Sequence, residues 1–196
     1  MFTKAATKLT ALLVNNQIIS EEDFEVYCFG FKAGFVILLN VLVTISIGFI
    51  LWMPLESLLI LLVFIPLRSC AGGIHTSNNI KCFFASTFFV FLVLIAARAV
   101  YGLFDMPVSI LTGFICSIII FALAPVQDAN KPLNNEDKRK LKRHTLRVLC
   151  ILFGLLLVLF FLRFVIAVNV FVFTLFLVCL SVCTGALKNY IKHPRV

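Results

Sequence analysis

Six long apolar runs, residues 33–53, 55–67, 83–100, 108–126, 148–162 and 164–187, take up most of this chain, and they decide what it can fold into. One soluble core cannot hide that many apolar stretches in 196 residues, of which 62% are hydrophobic and 22 are Phe, at a mean hydropathy of +1.10. Lipid has to solvate them. The runs lack the alternation of barrel strands, so the backbone must satisfy itself within helices. The expected fold is all-α, a polytopic six-span helical bundle forming a single integral membrane domain over residues 1–196.

The second run is thirteen residues long, about 20 Å of helix against a hydrocarbon core of about 30 Å. It must be tilted, extended by its neighbours, met by a thinned bilayer, or re-entrant. Before the first span, residues 1–19 carry Lys4 and Lys8 off a stripe of Phe2, Ala5, Ala6, Leu9, Leu12 and Leu13. That suits an amphipathic helix on the membrane surface or one packed on the bundle. Lys4, Lys8, Asn15, Asn16 and Gln17 interrupt any signal-peptide core there. Ser20 and the acidic residues Glu21, Glu22 and Asp23 after it read as the start of the next helix.

The formal charge of +8 raises nucleic acid as a partner, but the basic residues fall in connectors and form no separate basic domain. Topology accounts for them better, and no nucleic-acid partner is expected. Seven Lys and Arg residues lie in the connector 127–147 and three in the tail 188–196, which marks both as cytoplasmic. Counting spans back puts residues 68–82 and the N-terminus on the same face. Seven cysteines without a CxxC pair argue against a disulfide framework or a zinc site, so neither metal nor cofactor is expected.

Residues 68–82 are where chemistry concentrates. A thiol attacks well only as thiolate, and a nearby imidazole or a helix N-terminus favours that form. His75 and Cys82 supply the types. On one continuous helix they would share a face yet stand about 10 Å apart, so the segment should be broken. Gly72 and Gly73 free the backbone, and Thr76, Ser77, Asn78 and Asn79 are able N-caps for a helix running into Cys82. His75 would then fold back as the base, with Glu56, Asn78 or Asn79 as candidates to orient it. Cys70 is a rival nucleophile, and Arg68 either snorkels or binds substrate. By spacing alone, an interfacial ring near a packed thiol is the plainer explanation.

The pattern Arg-x-x-Ala-Gly-Gly-x-His, followed after six residues by Cys, resembles the accessory gene regulator B family of bacterial quorum sensing. The stretch Ala-Pro-Val-Gln-Asp-Ala-Asn-Lys-Pro-Leu from Ala124 to Leu133 is similar to that family's connector after the fourth span, and the likeness covers essentially the whole chain. The resemblance implies a thiol protease of the bacterial cell membrane that trims a small amphipathic precursor peptide and closes it into a thiolactone or lactone autoinducer. The catalytic pair falls on His75 and Cys82, with Arg68, Gly72, Gly73 and Lys131 as supporting or substrate-binding residues. It also implies an acidic C-terminal tail on the precursor and, as the expected assembly, a homodimer. The alternative from another class is a small membrane transporter or exporter without covalent chemistry. Its signature would be polar groups facing one another inside the spans, for which Glu56, Arg98 and Asn169 are the candidates.

Overall fold

The computed structural model describes residues 2–73, 79–102, 106–126 and 134–192, with only the backbone of residues 2, 79–82, 135 and 192. Among them are seven α-helices and no strand: α1 (Phe2–Asn15), α2 (Phe24–Ile50), α3 (Pro54–Ala71), α4 (Asn79–Ala99), α5 (Met106–Leu123), α6 (Asn135–Phe161) and α7 (Val165–Lys192). A single 3-10 turn, Glu21–Asp23, leads into α2. The protein is an all-α, multi-pass membrane protein. Helices α2, α3, α5, α6 and α7 are each long and apolar enough to cross a bilayer, and the apolar part of α4, Phe83–Ala99, is shorter.

The second segment is extended by its neighbour. Pro54 opens α3 at a position where its missing N–H costs nothing, and the helix runs through Pro66 and Arg68 to Ala71. Its eighteen residues span about 27 Å, close to the hydrocarbon thickness. Hydropathy had ended the run at Arg68.

Helix α7 is the centre of the bundle. Val168, Phe171, Val172, Leu175, Val178, Cys179 and Val182 pack with α3, α5 and α6 in one cluster, while Val170 turns to Val90, Val93, Leu94 and Ala97 of α4 in another. In lipid there is no hydrophobic force between such faces, so close van der Waals fit must hold them. Small residues permit that fit. At Gly48 of α2 an added Cβ would collide with the Ser57 side chain of α3 and lie 3.1 Å from the Met53 carbonyl oxygen. Gly48→Val is therefore expected to part α2 from α3 and lower the unfolding midpoint in detergent by several degrees. A matched Gly34→Ala control, with nothing within 4 Å, should leave it unchanged.

The first helix packs on α2, but not along the stripe its large residues suggest. Ala6 and Thr10 are fully buried, and the Thr7 hydroxyl lies 3.9 Å from Cys28 Sγ on α2. Leu9 and Leu12 stay exposed. Two helices approach most closely over small side chains, so the contact face is set by Ala and Thr and the leucines are left to the lipid side. Ser20 does not cap α2 through the backbone either: its hydroxyl donates to Asp23 Oδ2 at 2.8 Å.

Helix α6 begins within the basic stretch. Glu136 and Asp137 in its first turn suit the positive end of the helix dipole, and Lys138 to Arg147 continue as helix into the apolar part. Lys142 Nζ sits 5.1 Å from the centroid of the Phe121 ring on α5. The tail likewise is helical to Lys192. Asn169, near the start of α7, accepts a bond from Ser109 Oγ at 3.1 Å. Arg98 donates to the Leu51 carbonyl at 3.3 Å, at the end of α2. Two of the three groups named for the transporter alternative thus bond to a neighbouring helix or its end, and the third, Glu56, lies in the first turn of α3.

Candidate active site

The end of α3 is where the sequence motif acquires geometry. Gly72 at φ +75° and Gly73 at φ +126° adopt backbone that L side chains rarely take, and this stops the helix after Ala71. The freed Ala71 carbonyl accepts the Val126 N–H at 2.9 Å, and Gly72 pairs with Val126 as an isolated parallel bridge. A Cβ on Gly72 would run into the Val126 carbonyl. Both stretches on which the family resemblance rests, the glycine pair and the Ala124-Pro-Val run, therefore meet in space.

Arg68 closes the junction from below. It lies in the last turn of α3, and its guanidinium Nη1 donates to the Gly72 carbonyl at 2.8 Å and to Ser181 Oγ of α7 at 2.7 Å. A cation at a helix C-terminus is well placed against the exposed carbonyls. The space a Gly73 Cβ would need is taken by that guanidinium, with Ser181 Oγ at 2.7 Å. One turn further on, Gly185 is the seat of the loop: a Cβ there would stand 3.1 Å from the Gly73 carbonyl carbon and 3.0 Å from Val126 Cγ1. The ends of α3, α5 and α7 are thus tied together.

Among the residues anticipated for the site, Arg68, Gly72 and Gly73 come together here. His75 and Lys131 lie outside the described residues, as do Thr76, Ser77 and Asn78. Asn79 is the first residue of α4, and Cys82 is the fourth, so the cysteine belongs to the first turn of a helix. Cys70 lies in the last turn of α3, half-buried, its Sγ 3.7 Å from Ser69 Oγ. That is the carbonyl end of a helix, which offers an anion no N–H groups. Glu56 cannot reach this region: it sits in the first turn of α3, twelve residues and about 18 Å of helix from Arg68. Among the described residues no group of three or more His, Cys, Asp or Glu could hold a metal ion.

Ser181 and Gly185 went unnoticed in the sequence. Their signal was present as Ser-x-x-x-Gly in α7, the small-residue spacing that lets another backbone come close to a membrane helix.

Fold and junction together define a polytopic helical membrane protein in which the glycine motif ties together the ends of helices from distant parts of the chain. A family model described as accessory gene regulator B matches residues 6–182, and the chain belongs to that family. Among curated proteins it is similar to a "Putative AgrB-like protein 2" of Clostridium perfringens (strain 13 / Type A), 24% identical over 152 residues, which cover 74% of this chain and 71% of the relative. A "Putative AgrB-like protein" of Clostridium perfringens (strain SM101 / Type A) is 24% identical over 150 residues, 71% and 70% of the two chains. No solved structure matches. Family membership ties the protein to quorum-sensing peptide processing in the membrane.

Proposed function

We propose that this protein is a membrane cysteine endopeptidase that cuts the C-terminal tail from a small precursor peptide and promotes cyclisation of the remainder. The observation that carries the reading is the position of Cys82 in the first turn of α4, where the unpaired N–H groups of a helix start favour thiolate and can hold an oxyanion. Gly73 and Asn79 bound a link of five residues that includes His75, so the imidazole is tethered within about 7 Å of the held Gly73, Cα to Cα.

In the proposed reaction His75 takes the Cys82 proton, and Sγ adds to the carbonyl carbon of the bond before the tail. The C–N bond breaks, His75 protonates the leaving amine, and the tail departs, leaving a thioester on Cys82. A Cys or Ser side chain of the precursor then attacks that carbonyl, closes the ring and returns the proton to Cys82. Exchange of one thioester for another roughly conserves bond energy, so closure to a thiolactone needs no ATP, provided water is kept from the acyl-enzyme.

We further propose the cytoplasmic face for this site, because the junction shares its end of the bundle with the start of α6 and its basic residues. Lys131 and the charges after it would draw in an acidic tail.

The test is intact-mass measurement of the reconstituted protein mixed with its precursor. Wild type should gain the mass of the precursor less its tail, and the gain should vanish on treatment with hydroxylamine. A His75→Ala variant should gain nothing. Tail release by wild type with no adduct on the Cys82 peptide would end the covalent reading.

A further inference from the structure

We propose that Ser181 of α7 is a positioning residue for this reaction, acting through Arg68 to hold Gly72 and Gly73, from which the chain leads on to His75. The inference rests on the peptidase reading above and adds to it a residue from the far end of the chain.

Three observations converge on it. First, one guanidinium nitrogen carries two bonds, to the Gly72 carbonyl at 2.8 Å and to Ser181 Oγ at 2.7 Å, so the hydroxyl fixes the direction from which Arg68 grips the loop. An arginine with four rotatable side-chain bonds does not hold a carbonyl in place unless its own head is held. Second, the 113 residues between the partners make this a contact between helices, so α7 and not the local turn is the reference frame. Third, Gly73 has no room for a Cβ because the guanidinium and Ser181 Oγ occupy that space, and Gly185, one turn after Ser181, supports the same residue from beneath.

His75 follows Gly73 by two residues. Where Gly73 is held therefore limits where His75 can stand, and general-base geometry tolerates little misplacement. Ser181 touches neither substrate nor nucleophile in this scheme. Its effect should therefore appear in how well His75 and Cys82 are paired and not in whether the bundle holds.

The readout is the pH dependence of Cys82 alkylation by iodoacetamide in the reconstituted full chain, followed at the Cys82 peptide by mass spectrometry, with the Cys70 peptide as internal reference. Wild type should alkylate well below the pH of an ordinary thiol, which titrates near about 8.5. Ser181→Ala should slow alkylation at neutral pH by about tenfold, the factor carried by one hydrogen bond to a charged group. It should also move the profile toward the ordinary thiol, with the Cys70 rate unchanged. Arg68→Lys, which keeps the charge and loses the fork, should do the same. The double variant should be no slower than Arg68→Lys alone, because both act through one grip.

A Ser181→Ala profile that overlays wild type while His75→Ala shifts it would overturn the role of Ser181 and leave the peptidase reading standing. A wild-type profile that is already that of an ordinary thiol, and indifferent to His75→Ala, would overturn the reading itself and the inference with it.

Discussion

Cys82→Ala is expected to lower tail release by about a thousandfold or more, to the level left by binding alone, since no other group then forms the thioester. Cys70→Ala should stay within about twofold of wild type. Proximity to the motif does not separate these cysteines, because they flank the same glycine pair; helix polarity does. Cys70 is in the last turn of α3, among carbonyls, and Cys82 is in the first turn of α4, among N–H groups. Cys82→Ser should be nearly as inactive as the alanine variant, because a serine hydroxyl beside one imidazole is a far weaker nucleophile than a thiolate. All three proteins should keep the wild-type unfolding midpoint in detergent. The measurement is precursor tail release by mass spectrometry at matched protein levels, and comparable loss from Cys70→Ala would move the nucleophile to the other side of the glycines.

The second large effect is expected from a single methyl group. Gly73→Ala should cut tail release by about a hundredfold, because the change acts twice at one residue. The φ of +126° is strained for any L side chain, at about 1–3 kcal/mol, and the Cβ would displace the Arg68 guanidinium from Ser181 and Gly72. Once the grip is broken, Gly73 itself is no longer held, and misplacement by about 1 Å is worth roughly that factor in rate. Gly154→Ala is the matched control in the same background. It lies mid-helix in α6 with nothing within 4 Å of its would-be Cβ, so alanine there should be neutral or slightly stabilising. Activity assayed beside detergent unfolding curves separates the two: equal effects at Gly73 and Gly154 would mean that neither the φ nor the crowding at Gly73 matters.

What could be read in the sequence was whatever depends on local pattern. All six apolar runs became helices because hydropathy and backbone self-satisfaction are local properties. The glycine pair stopped α3 as expected, and a helix does run through Cys82. Boundaries were misjudged where a charge was taken for an edge. Arg68 looked like the first residue of a loop, yet its long side chain reaches its own helix end, so α3 continues past it. Likewise α6 starts some thirteen residues before its apolar part, since hydropathy marks where lipid begins and not where helix begins. On the packed face of α1, Ala6 lay on the expected stripe, but Thr10 did not stand out beside three leucines. The ties of Arg68 to Ser181 and of Gly72 to Val126 were out of reach altogether: they join residues 113 and 54 positions apart, and no local spacing encodes them.

The burial of α7 also has a bearing on when the protein comes to life. The helix at the heart of the bundle is synthesised after α3, α4, α5 and α6, all of which pack on it. Those four enter the bilayer with no central partner and must wait, loosely gathered, for the last of them to arrive. Ser181 and Gly185 lie near the far end of that late helix, so the grip on Gly72 and Gly73 closes only when insertion is almost finished. A chain still on the ribosome would thus carry an Arg68 with no Ser181 to hold it, and the junction is whole only once the last helix is in place.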